Sequence, residues 1–219
     1  MSRLHVLGCA CLLLVAPAIA RGTEAEEARL HARLSPELAP QVIEVVRTAE
    51  SQGLPTGPIV ARALEGASRQ ANAAAILEAV RREASGLAAA RRALGPNASA
   101  TELDAGAGAL MAGVSEDSLA NLKKARPNGS LVIPLIVLSD FVARGVPVND
   151  ASNTVLAATR AGAADPALLR MRERTNERIL RGELPAGASR EGLRELLSKT
   201  VQAPAKPSGA ANPAEGRRP

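Results

Sequence analysis

Arg170, Arg174, Arg178 and Arg181 recur at intervals of four, four and three residues, which sets four guanidinium groups along one face of a helix. Guanidinium groups in a row do no covalent chemistry. They bind anions, through forked hydrogen bonds to carboxylate or phosphate. Arg172 lies off that face, and Glu173 and Glu177 neighbour it and neutralise part of it. The row reads in two ways: as a contact surface for an acidic partner, or as a solvated, salt-bridged helix face.

Groups suited to covalent or acid–base chemistry are scarce. The 219 residues hold two cysteines, Cys9 and Cys11, and two histidines, His5 and His31; Trp and Tyr are absent and Phe141 is the one aromatic. A Ser-His-Asp triad in the exported chain would have to use His31, which sits in a charged segment and reads as a surface histidine. No Gly-x-Ser-x-Gly elbow, phosphate loop or dinucleotide fingerprint occurs. Gly106-Ala107-Gly108 has no strand before it and reads as close helix packing. One histidine and no cysteine make no zinc site, so neither a metal nor a cofactor is expected.

Two carboxylate pairs have the residue types for glycoside-type acid–base work: Glu102 with Asp104, and Glu116 with Asp117. All four fall in the first turn of an expected helix, where acidic groups stabilise the positive dipole end. No aromatic platform for sugar stacking accompanies them. No catalytic residue is therefore assigned. Asp140 follows Leu131–Leu138, the most apolar stretch beyond residue 20, and has Arg144 four residues on. It reads as a helix-end ion pair, or as a buried acid facing a ligand or partner.

These groups need helices to position them, and helix signals recur along the chain. Ser35-Pro36-Glu37, Thr56-Gly57-Pro58, Asp165-Pro166, Ser115 and Ser189 are read as helix openings, Ser99 to Glu102 has capping-box spacing, and Ser130 opens the most apolar helix. The expected helices run 38–52, 57–69, 73–94, 100–112, 116–125, 131–144, 149–161, 166–182 and 190–200. In the third, Ile76, Val80, Ala84, Leu87 and Leu94 share one face. Residues 21–34 are charged and read as a leader forming at most a loose helix. From Gln202 the chain turns to Pro, Ala, Gly and Ser, a tail expected to be disordered.

Gly53-Leu54-Pro55, Gly113-Val114-Ser115 and Gly145-Val146-Pro147 each end one helix and begin another; Gly162-Ala163-Ala164 and Gly182-Glu183-Leu184-Pro185 are weaker relatives. The glycine can adopt the left-handed conformation that stops a helix, and the apolar residue after it can fold back on the preceding turn. Gly113 to Gly145 spans 32 residues and Gly145 to Gly162 spans 17, the lengths of a helical hairpin and of one helix with its turn. The rhythm resembles that of helical repeat proteins, without a tetratricopeptide or ankyrin consensus. The fold class is all-α, with two arrangements open: an irregular helical bundle, or a solenoid-like stack of helical hairpins.

The first twenty residues bear on location. Arg3 and His5 precede an apolar run, Val6–Ala16, and Ala18-Ile19-Ala20 closes it, the plan of a secretory signal peptide cut after Ala20. The run is short for a membrane span, which needs roughly 20 residues. Val6-Leu7-Gly8-Cys9 resembles a lipobox, but most of the apolar run follows Cys9. Cleavage removes both cysteines, so helix packing rather than disulfides must hold an exported domain. The formal charge of +5 is spread through Arg/Glu-mixed helices. That distribution and the lack of base-stacking aromatics argue against nucleic acid. The expectation is an exported, periplasmic or extracellular, non-enzymatic interaction or scaffold module of the bacterial cell envelope with a protein partner. The alternatives are a carrier or sensor of an apolar small molecule held between helices and, last, a carboxylate-dependent hydrolase.

Overall fold

A computed structural model describes residues 18–202; the body of the signal segment and the residues of the tail beyond Gln202 lie outside that range. Among the described residues the chain forms ten α-helices and no strand: α1 (Ala18–Arg33), α2 (Ala39–Ser51), α3 (Gly57–Ser68), α4 (Ala73–Leu94), α5 (Ala100–Met111), α6 (Glu116–Ala125), α7 (Val132–Ala143), α8 (Val148–Arg160), α9 (Asp165–Leu180) and α10 (Pro185–Gln202). None of them is long and apolar enough to cross a membrane. The expected site of signal cleavage, after Ala20, falls within the first turn of α1.

Local chemistry explains most boundaries. Asn72 caps α4 by accepting a hydrogen bond from the Ala75 N–H at 2.8 Å. Ser115 caps α6, accepting from the Ser118 N–H. Ser99 and Glu102 form a complete capping box at α5. Several expected openings differ. Ser35 accepts from the Leu38 N–H in a turn one step ahead of α2, and Thr56 makes no side-chain cap. Asp165 is already inside α9 and its carboxylate is engaged by Arg126 at 2.6 Å. Ser189 is wholly buried inside α10, which begins earlier, at Pro185; there the ring holds φ near the helical value.

The glycine turns close by one geometry. At Gly53, Gly113, Gly145, Gly162 and Gly182, φ is positive, between 67° and 95°. In each, the glycine N–H and the next N–H donate back to the last carbonyls of the helix, as in Gly145 to Val142 and Val146 to Phe141, both 3.0 Å. The following Leu54, Val114, Val146 and Ala163 are buried against the helix they end. Gln70 closes α3 in the same way with φ of 56°, the one non-glycine at positive φ among the described residues. Its side chain carried no sequence signal for that role.

Every substantial interhelix contact joins helices adjacent or next-but-one in sequence: α2 meets α4, α4 meets α6, α6 meets α8 and α8 meets α10, while α5 meets α7 and α7 meets α9. Contact mainly with near neighbours is shared by a stack of hairpins and by an irregular helical bundle whose helices follow one another in order, and the all-helical arrangement is consistent with either. A Cβ at Gly113 would meet the Val148 side chain at 3.8 Å, and one at Gly145 the Pro185 ring at 3.7 Å. These two turns thus rest on the start of a later helix. The charged leader belongs to the fold: α1 buries Leu30 completely and packs on α2 and α3, fastened by Arg47 to Glu27 at 2.8 Å.

Small residues bring the helices close. At the α4–α5 contact a Cβ on Gly106 would lie 3.0 Å from Ala90 Cβ, and one on Gly86 3.3 Å from Ala107 Cβ. Gly108, two residues on, has nothing within 4 Å. The core is Leu, Val, Ile and Ala with Phe141 fully buried on α7. On α4, Ile76, Val80, Leu87 and Leu94 are buried as expected; Ala84 is only partly so, and Glu83 is buried beside them.

Gly106→Ala should lower unfolding free energy by about 1–3 kcal/mol through overpacking. Gly108→Ala should raise it by about 0.5–1 kcal/mol through helix propensity. Denaturant melts of the two variants check the difference. Gln70→Gly should raise the melting temperature, because it removes left-handed strain of about 1 kcal/mol.

Candidate functional site

α9 presents three buried residues, Leu168, Met171 and Thr175, toward its packing partners α7 and α10. Its arginines fall elsewhere on the helix surface, and neighbouring elements decide how free they are. Arg174 forms an ion pair with Glu195 of α10, and Lys199 of α10 approaches the same carboxylate at 3.4 Å. Arg178 lies 3.4 Å from Glu183 in the α9–α10 turn. Arg170 and Arg181 are exposed and make no ion pair among the described residues. The row is therefore broken into two engaged and two free guanidinium groups. The neutralising carboxylates are Glu195 and Glu183, not the sequence neighbours Glu173 and Glu177, which are exposed.

At the far end of the row, Leu180 and Leu184 are each 81 % exposed, and Arg181 stands between them in the chain. A tip with two nearly bare leucines and a free cation is the largest departure from ordinary surface composition among the described residues. Sequence patterning missed it, because leucines at a helix end normally fold back onto their own turn. Here Glu183 takes the position after Gly182 that Leu54, Val114 and Val146 occupy after their glycines.

Asp140 is half-buried, with 28 % of its side chain exposed. It accepts from Arg144 Nε on its own helix at 3.2 Å and from Asn176 Nδ2 of α9 at 3.0 Å. This arrangement joins α7 to α9 and leaves a carboxylate engaged on both sides.

The acidic pairs serve the framework. Glu102 is buried and both its oxygens are occupied: Oε2 accepts from the Ser99 N–H and Oε1 from the Leu131 N–H, each at 2.9 Å. Burial pushes its pKa upward, but the hydrogen bonds from Ser99 and Leu131 outweigh that effect and the net pKa lies below 4.5. Glu116 pairs with Arg92 of α4 at 2.9 Å. Asp117 and Asp104 are exposed. Asp104 borders a cleft of about 410 Å³ with Glu65, Glu83 and Arg62. In that cleft Arg62 binds the buried Glu83 through Nε and Nη2 at 3.1 and 3.0 Å, and Glu65 through Nη1 at 2.8 Å. No cluster of His, Cys, Asp and Glu able to hold a metal occurs among the described residues. His31 is exposed on α1.

No family model, curated protein or solved structure matches the chain.

Glu102→Gln replaces an acceptor oxygen by an NH2 group and leaves either the part-buried Ser99 N–H or the buried Leu131 N–H without a partner. The expected cost is about 1–3 kcal/mol at neutral pH. Because the folded pKa is depressed, the ionised group's contribution is complete above 4.5 and disappears as pH falls through the folded value. Wild-type stability should therefore fall more steeply than that of Glu102→Gln in this acid range, as read by thermal melts at stepped pH.

Proposed function

We propose that this chain is an exported, non-enzymatic helical module of the bacterial cell envelope that binds a protein partner. Its contact surface would be the exposed side of α9 and the α9–α10 tip. The observation that carries the reading is the pair Leu180 and Leu184, each 81 % exposed, flanking the free Arg181. Leaving two leucines in water forgoes about 1.5–3 kcal/mol of burial for each. An acidic, partly apolar partner recovers that energy and meets the cation. Export rests on the Arg3-to-Ala20 signal pattern. The hydrolase reading gains no support from the acidic pairs, since Glu102 and Glu116 are engaged in holding helices.

The test is crosslinking in the native host with a C-terminal tag, comparing wild type with a Leu180→Ser, Arg181→Glu, Leu184→Ser variant. All three side chains are exposed, so circular dichroism should be unchanged. A defined crosslinked partner should be recovered with wild type and reduced about tenfold or more with the variant. Equal recovery with both would remove the tip from the reading.

A further inference from the structure

Between the α8–α9 turn, the first half of α9 and the second half of α10 lies an open groove of about 280 Å³. Ala163, Met171 and Leu196 form a largely buried apolar floor, and Ala167 is the more open apolar residue beside it. The groove's charged groups are Arg170, Arg174, Lys199 and Glu195, three cations against one carboxylate. Glu195 draws Arg174 and Lys199 to one point, while Arg170 makes no ion pair among the described residues. At the mouth, Ala164 precedes α9, and Asp165 in the first turn of the helix is engaged by Arg126.

We propose that this groove binds a small anionic amphiphile: a carboxylate head carried on a short apolar chain. The head would sit on Arg170 and share Arg174, in the manner in which Glu195 already does. The chain would lie against Ala163, Ala167, Met171 and Leu196. Cations with an unneutralised excess, converging beside an apolar wall, match both ends of such a molecule, whereas a plain anion would leave the wall wet and a neutral oil would leave Arg170 unanswered. The volume is at the small end for ligand sites, which limits the chain to a few methylenes. The chain's own C-terminal segment is a poor occupant: beyond Gln202 it carries Lys206, Arg217 and Arg218 against Glu215, the same sign as the groove. This inference stands apart from the partner-binding reading, which rests on the opposite end of α9.

The experiment is an NMR titration of the purified protein with butanoate, hexanoate and octanoate, with octanol and inorganic phosphate as controls. Saturable shifts at Ala163, Ala167, Met171 and Leu196 are expected, with affinity rising by up to about fourfold per methylene from butanoate to hexanoate and levelling off at octanoate, whose tail outruns the groove. Arg170→Glu should weaken octanoate about tenfold. Glu195→Gln should tighten it several-fold by releasing Arg174 and Lys199, so the two variants move in opposite directions in proteins that remain folded. Octanol or phosphate binding as tightly as octanoate, or shifts confined to other surfaces, would overturn the proposal. Phosphatidylglycerol vesicles separate the sources of the ligand. Octanoate binding without sedimentation is expected of a short carboxylate amphiphile, and sedimentation that octanoate competes away would overturn the proposal in favour of a phosphodiester lipid. Vesicle binding with no octanoate binding is adsorption to a bilayer and would falsify the groove.

Discussion

With no Trp or Tyr and a single Phe, each helix can bury its apolar stripe only if a neighbouring backbone comes close. Alanine and glycine permit that approach. Gly106 sits against Ala90 and Gly86 against Ala107, so α4 and α5 touch with almost no side chain between them. Gly192 does the same on α10: a Cβ there would lie 2.6 Å from Thr175 Oγ1 of α9. The consequence is a thin core repeated along the chain rather than one thick centre. Each helix is stabilised mainly by the helices just before and after it.

Buried polar groups then act as fasteners between successive layers. Glu102 begins as a local cap for α5, but its second oxygen reaches the backbone just ahead of α7 and so fixes the α6–α7 connection. Arg91 performs a similar task from the end of α4, donating to Gly53 O at 3.0 Å and to the Pro96 and Ala98 carbonyls. The buried Glu83 held by Arg62 joins α3 to α4. Breaking the Glu102–Leu131 bond leaves a polar group in a place water does not reach, which is why it constrains the structure more than an exposed ion pair does.

The same fastening logic divides the arginine row of α9. Where α10 and its turn lie near, Glu195 and Glu183 take up Arg174 and Arg178. Arg170 and Arg181 are exposed and make no ion pair among the described residues. The groove and the leucine tip lie at opposite ends of α9.

Secondary structure was legible in the residues themselves because its causes are local. Glycine at positive φ, a serine three residues before a glutamate and the apolar period of α4 each act within one or two turns, and eight of the expected helices fall within about two residues of those observed. The misreadings were local as well: Asp165 and Ser189 have the side chains of caps, but a distant arginine and an earlier proline claimed those positions. The choice between a closed bundle and a stack lay beyond such signals, since both use the same turns. Which acid meets which base was equally hidden. Glu195 reaches Arg174 across 21 positions, Arg62 reaches Glu83 across 21 and Glu102 reaches Leu131 across 29. Those pairings depend on crossing geometry and on how closely small residues let two helices approach, quantities that exist only once the helices have packed.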